Sequence, residues 1–391
     1  MSVRAGIDRL LEEDHFDRER RFALVTNDGA CSASYVPSRL ALVAKGYRIA
    51  KLFSPEHGLM AVAADGCRVR DGYDSLTNLP VKSLYGDILR PSESDLSDID
   101  AVLVDLPDVG CRCYTYLWTL TYVMEACASF GKELILLDRP NPISGTISLA
   151  EGPILDESHC SSFIGRWALP LRHSCTLGEL ARFWAATRVK DLKLHVVEAA
   201  GWERDMLYHD WSTSFVPTSP GITTFEACLL YPGLCLSEAT NLSEGRGTGM
   251  AFRVLGAPWL NGRKVADEFN LVGLQGVIAR PVNFMPESGK YKGIGCNGIM
   301  LHATCMRQIR PVATGLVLIK LIHDLHPENF TWSMYPTYVN PNGDKHLEKL
   351  LGIADAEAIL EHRWSTPMGP VPELVECAGW ETQMMPYLLY R

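Results

Sequence analysis

Residues 21–58 read RFALVTNDGACSASYVPSRLALVAKGYRIAKLFSPEHG. Arg21 to Asn27 carries an apolar run of the kind found in a strand buried on both faces. Pro37 to Gly46 sets Leu40, Leu42 and Val43 between a proline near its start and a glycine at its end, which are helix start and stop signals. Tyr47 to Phe53 returns as a strand, so the stretch predicts a strand-helix-strand unit with a right-handed parallel crossover. Both strands end in polar signatures, at Thr26-Asn27 and at Ser54-Pro55-Glu56-His57-Gly58.

The pattern continues outward. Residues 4–15 suit a short amphipathic helix, Val81 to Leu84 a short strand, Asp87 to Ser97 a polar loop, and Ile99 to Leu106 a buried strand. Trp118 to Phe130 is an apolar helix stopped by Gly131, and Lys132 to Asp138 is the strand after it. A Thr176-x-x-Glu179 capping box opens a helix to Thr187, followed by a strand at Leu192 to Val197. This alternation predicts an α/β fold with a Rossmann-like parallel sheet in an amino-terminal domain, 1–225. Pro217 to Gly221 reads as an interdomain linker. Residues 226–391 read as a smaller α+β domain, with a helix at Gly315 to Leu325 and a Gly, Pro and Tyr-rich stretch at Tyr335 to Gly343. Open parallel sheets bind ligands beyond the carboxyl ends of their strands, so the polar signatures are expected to meet in one carboxylate-rich pocket.

The chain has 391 residues, 47% hydrophobic and 21% charged, which is enough apolar material for packed cores. A net charge of −9 with scattered basic residues disfavours nucleic acid as a partner. No apolar run reaches the roughly 20 residues needed to cross a bilayer, and the amino terminus lacks the pattern of a signal peptide. The expected setting is cytoplasmic, with the 12 dispersed cysteines reduced. Cys111 and Cys113 are too close in sequence for ordinary zinc-pair spacing, and neither a metal nor a cofactor is assigned.

Six segments could carry chemistry. Ser54 to Gly58 reads either as a helix N-terminus or as a site built on Glu56. Asp105 to Tyr116 sets Asp108, Arg112, Tyr114 and Tyr116 just past a buried strand, where an Asp-Pro turn with an ion pair is the competing reading. Asp138-Arg139-Pro140-Asn141-Pro142 holds Arg139 and Asn141 on a rigid strand exit. Glu151-Gly152-Pro153 and Arg172-His173-Ser174 are weaker. Glu238 to Gly249 is rich in Glu, Asn, Ser and Arg but is neither G-x-G-x-x-G nor a P-loop, which disfavours nucleotides. Without a G-x-S-x-G elbow or H-E-x-x-H, paired carboxylates with Tyr, Asn and Arg suit glycoside hydrolysis.

Ser54 to Leu59, Leu84-Tyr85-Gly86, Asp105 to Tyr116, Leu137 to Ile143, Glu151-Gly152-Pro153, Tyr231 to Thr248, Phe284-Met285-Pro286, Lys290-Tyr291-x-Gly293 and the closing Pro386 to Tyr390 together resemble the NamZ-like exo-β-N-acetylmuramidases, formerly a bacterial domain of unknown function. The resemblance implies an active site in the cleft between the two domains and release of terminal N-acetylmuramic acid from the non-reducing end of peptidoglycan fragments. It implies Glu56 as the catalytic carboxylate, and the residue types around it suit Glu56 as general acid with His57 orienting it. Asp108 or Glu244 is then the second carboxylate, unless the substrate's acetamido group serves. Arg246, Arg112 or Arg172 would pair with the lactyl carboxylate, and Tyr114 and Tyr116 would pack on or hydrogen-bond the sugar. Asn27, Arg139, Asn141, Glu151, His173, Glu238 and Asn241 are the remaining candidates for holding a small sugar or muropeptide. The family commonly continues E-H-G with an aromatic or apolar residue, then an Arg or apolar residue and Gly, where this chain has Leu59-Met60-Ala61, so one pocket wall is expected to differ. A sugar-binding protein that keeps the fold without the chemistry is the rival reading.

Overall fold

The computed structural model describes residues 2–13, 16–362 and 371–391. Helix α1 (Gly6–Glu13) leads into β1 (Arg21–Val25), α2 (Ser38–Ala44) and β2 (Arg48–Ser54), with β1 and β2 parallel. The last two positions of the helix expected over 4–15 lie outside the described residues. Strands β3 (Gly72–Tyr73), β4 (Pro80–Ser83), β5 (Ala101–Val104), β6 (Glu133–Leu137) and β7 (Lys193–Val197) complete a seven-stranded sheet of order β3-β4-β2-β1-β5-β6-β7. Every neighbouring pair is parallel except β3–β4. Without that edge strand the order is that of a doubly wound Rossmann sheet, growing both ways from β1.

The intervening helices are α3 (Glu93–Leu96), α4 (Tyr116–Ser129), α5 (Glu157–Cys160) and α6 (Leu177–Thr187). Thr176 and Glu179 form the expected capping box at the start of α6. The polar loop expected over Asp87 to Ser97 instead contains α3, because Ser92 and Asp95 make a second, shorter capping box.

After α7 (Phe225–Leu234) come β8 (Val254–Ala257), α8 (Gly262–Val272), β9 (Val277–Phe284), β10 (Cys296–Ala303), α9 (Pro311–Leu325) and α10 (His346–Leu351). The three strands form an antiparallel sheet of order β8-β10-β9. Among the described residues no helix is long and apolar enough to cross a membrane.

One face of the parallel sheet packs Phe22, Leu24, Leu52 and Leu103 against Ile7 and Leu10 of α1 and Leu42 of α2. The other face belongs to a larger cluster that runs without a break from Val102 and Leu120 through Leu229 and Leu316 to Leu350. Pro217 to Gly221 is therefore no free linker. Thr218 and Ser219 are buried, and Thr218 receives hydrogen bonds from Tyr114 and Tyr116.

Helices α7 and α9 meet at a pair of glycines. A Cβ on Gly233 of α7 would lie 1.9 Å from the Pro311 carbonyl oxygen, and one on Gly315 of α9 would lie 2.2 Å from the Gly233 carbonyl oxygen. Backbone meets backbone there, so no side chain can yield. Gly315→Ala is expected to lower stability by about 2–3 kcal/mol despite alanine's better helix propensity, read as a lower denaturant midpoint at unchanged slope. An unchanged or higher midpoint would mean that the helices can separate at no cost.

Candidate active site

Glu56 sits on a turn that cannot continue as a helix. After β2 the Gly58 N–H bonds the Pro55 carbonyl at 3.1 Å, and His57 and Gly58 both take left-handed backbone, at φ 65° and 73°. The helix N-terminus reading of Ser54 to Gly58 is thereby excluded. The chain then folds back on itself, with His57 Nδ1 2.8 Å from the Ala63 carbonyl, until the Gly66 N–H donates to Glu56 Oε1 at 2.7 Å. Gly66 has φ 65° and lies so close to Thr337 that a Cβ would stand 2.8 Å from it, so glycine is required on two counts. The other oxygen, Oε2, accepts from the Thr115 hydroxyl at 2.6 Å, and Thr115 is the residue immediately before α4.

Glu56 opens into a pocket of about 580 Å³, which His57, Asp65, Tyr85, Glu238, Arg246, Tyr335 and His346 help to line. Arg246 is its electrostatic centre. Nη1 meets Asp65 Oδ1 at 2.9 Å, Nη2 meets Glu238 Oε1 at 2.6 Å and Nε meets Glu244 Oε1 at 2.5 Å. Burial works against the Asp65 charge, but Arg246 and the Tyr335 hydroxyl outweigh it and hold that carboxyl below its usual range. Glu238 goes the other way, because its burial outweighs the help of His346, 3.4 Å away, and of Arg246. The His346 ring stacks on Tyr335 with centroids 4.7 Å apart. Burial, and then the Glu56 charge, keep the Tyr85 phenol protonated and so a donor.

Of the residues expected at the site, Glu56, His57, Tyr114, Glu238 and Arg246 share this pocket. Tyr116 lies behind Tyr114, its hydroxyl donating to the Thr218 carbonyl and accepting from Asn27 Nδ2 at 2.8 Å. The expectation of a single pocket is corrected. The strand ends divide between two cavities, because the Tyr114 and Tyr116 bonds to Thr218 stand between them. Asp108 and Arg139 line the other cavity, of about 750 Å³.

Asp108 is therefore not the partner of Glu56. It lies 3.1 Å from His173 Nε2, which accounts for His173 as well. Glu244 is buried behind Arg246 and does not line the pocket; Asp65 and Glu238 are the carboxylates that share it with Glu56. Arg139 is held by both oxygens of Asp105, at 2.6 and 2.9 Å. Arg112 is buried and, among the described residues, bonds only carbonyl oxygens, of Pro153, Leu169 and Leu350, and Arg172 is buried near Glu151, 3.7 Å away. Neither can reach a substrate carboxylate, and three of the five N–H groups of Arg246 are already taken. Asn141 ties Cys175 and Ile143, Asn241 ties Asn329 and Thr331, and Glu151 faces Arg310. Leu59, Met60 and Ala61, where the chain departs from the family pattern after E-H-G, are not among the residues that line the pocket.

Asp65, Thr115, Tyr85, Tyr335 and His346 are pocket residues that the sequence reading did not single out. Thr115 lay inside a quoted motif, and Tyr85 inside another. Asp65 falls in an irregular stretch with no periodic signal. Tyr335 belongs to a segment noted only for its composition.

A Rossmann-ordered sheet carrying an acid-rich cleft against a second unit defines a two-part α/β protein with its candidate site beyond the strand ends. Residues 22–226 match the family described as exo-beta-N-acetylmuramidase NamZ, N-terminal, and residues 229–390 match its C-terminal counterpart. The chain belongs to the NamZ family. It is 38% identical over 330 residues to the peptidoglycan beta-N-acetylmuramidase NamZ of Bacillus subtilis (strain 168), covering 84% of this chain and 79% of that protein. Two crystal structures of DUF1343 family proteins from Bacteroides fragilis NCTC 9343 superpose over 100% of this chain and 99% of theirs, with TM-scores of 0.86 and 0.71 at 28% and 25% identity.

A carboxyl whose folded pKa is depressed contributes stability above its unfolded pKa and loses it as pH falls through the folded value. The stability gap between the protein and its Asp65→Asn variant should therefore be flat near neutral pH and shrink below about pH 4, in denaturant titrations across a pH series. A gap that stays constant through the acid range would show that the Asp65 charge is not what Arg246 stabilises.

Proposed function

We propose that this pocket hydrolyses the bond joining a terminal, β-linked N-acetylmuramic acid to the rest of a peptidoglycan fragment, with Glu56 as general acid. Membership of the NamZ family makes the chain an exo-acting glycoside hydrolase. The observation that carries the role of Glu56 is the difference between Gly66 and Thr115, which bond its two oxygens with the Tyr85 hydroxyl close by. The Gly66 N–H can only donate, so Oε1 stays unprotonated. The Thr115 hydroxyl can donate or accept, so Oε2 can carry the proton or release it with a partner in both states. That is what an acid needs when it hands a proton to the leaving oxygen and then bears a charge.

Asp65, kept ionised by Arg246 and Tyr335, is the anion that balances positive charge developing at the anomeric carbon, or orients the substrate's acetamido group if that group attacks. Glu238, with its raised pKa, and the Tyr85 hydroxyl bind sugar hydroxyls. The lactyl carboxylate takes the N–H groups of Arg246 that remain free. We place the reaction in the cytoplasm of a bacterium, on wall fragments recovered for recycling, without nucleic acid or membrane. The twelve unpaired cysteines support a reducing compartment.

Glu56→Gln should lose about 10²–10⁴-fold in kcat on a disaccharide of N-acetylmuramic acid and N-acetylglucosamine, and much less on a nitrophenyl glycoside, whose leaving group needs no proton. Equal losses on both substrates would remove Glu56 as the acid. Calorimetry that found binding of the intact disaccharide with no product would favour a sugar-binding protein instead. Thr115→Val should lower kcat roughly ten- to hundredfold with little change in KM, because it frees the acid from its set position. An unchanged kcat would mean that Thr115 has no part in setting it.

A further inference from the structure

Three thiols that are far apart in kind of element, though not in space, meet beside the pocket. Cys111 and Cys113 come from the segment between β5 and α4, and Cys235 from the end of α7; their sulfur atoms all lie within 4.8 Å of one another. All three are buried, and Cys113 lines the pocket wall two residues before Thr115. The short spacing of Cys111 and Cys113 argues against a zinc pair, but the third sulfur arrives from elsewhere in the chain.

The residue between them supplies a second, independent observation. Arg112 is fully buried, its Nε has no partner among the described residues, and its other nitrogens bond three neutral carbonyl groups. Among the described residues it has no carboxylate partner, and an arginine cannot shed its charge. A buried cation without an anion is costly, and the sulfur atoms of Cys113, Cys111, Cys235 and Cys160 are within its electrostatic reach. Negative charge gathered on the three sulfur atoms would compensate it.

We infer that Cys111, Cys113 and Cys235 form a three-coordinate site for a soft monovalent ion, Cu(I). Thiolate sulfur selects soft ions, and a structural zinc ion would require a fourth ligand. On binding, three sulfur–copper bonds form and three S–H protons leave to solvent by way of the pocket. The complex of one Cu(I) with three thiolates carries a charge of −2, of which Arg112 offsets one unit. No electron is transferred. The inference does not depend on the glycosidase reading.

The test is an anaerobic titration of the full-length, reduced protein with Cu(I) delivered as its acetonitrile complex. The exposed thiols are first removed as Cys67→Ser and Cys305→Ser. One equivalent should bind against a bicinchoninate competitor and raise an ultraviolet thiolate-to-copper band. Cys235→Ser and Cys111→Ser should weaken binding by about tenfold or more, at least as much as losing an outer-shell partner does. Because either variant could fold poorly, X-ray absorption of the copper-loaded parent gives a second reading, expected to show three sulfur neighbours. Absence of the band, its persistence in both variants, two sulfur neighbours, or nitrogen and oxygen in the shell would each overturn the site.

Discussion

The Arg246 guanidinium holds the cleft together. Asp65 reaches it from the segment after β2, and Glu238 and Glu244 reach it from the segment after α7, so one cation joins the two halves of the chain across the pocket. Its planar fork matters as much as its charge, because three carboxylates approach three different nitrogens in set directions. A lysine would supply the charge at a single point and could not hold all three. Without the cation, three carboxylates packed this closely would repel one another, and neither Asp65 nor the backbone that carries Gly66 to Glu56 would have a reason to stay in place.

The same clamp gives the pocket carboxylates different characters. Asp65 is tied to Arg246 and Tyr335 and remains an anion, Glu238 is pushed by burial toward its neutral form, and Glu56 stands apart from the clamp with one donor and one reversible partner. Chemically similar side chains are set to unlike tasks by their surroundings. Tyr85, Tyr335 and His346 complete the wall and come from places remote in sequence.

Runs such as Phe22 to Val25 and Leu134 to Leu137 made the parallel sheet legible, because central strands of such sheets are apolar on both faces and need no long-range information to recognise. The antiparallel sheet of β8, β9 and β10 was not read, since β9 has one exposed face and only a weak alternation. At the site the motif around Glu56 was legible and Asp65 was not. The role of Asp65 exists only through Arg246, which the chain reaches much later. Asp108, Arg139 and Asn141 sit where ligand-binding residues of an α/β sheet belong, yet each is spent on a neighbour: His173, Asp105 and Cys175. Arg112 misled for a related reason. Its type suggested anion binding, and its burial against carbonyl groups could not be read from the sequence.

The partition made by Tyr114, Tyr116 and Thr218 has a bearing on the order of events during turnover. Tyr114 lines the Glu56 pocket and Thr218 lines the second cavity, so the bond between their hydroxyls lies on the boundary of the two. Under the hydrolysis proposed here, a glycan can present only its last unit, with the remainder of the chain filling the mouth. With the remainder of the chain in the mouth, the long fragment would leave before the monosaccharide lodged behind it. Such an enzyme has to release its polymer at every cycle and cannot walk along it.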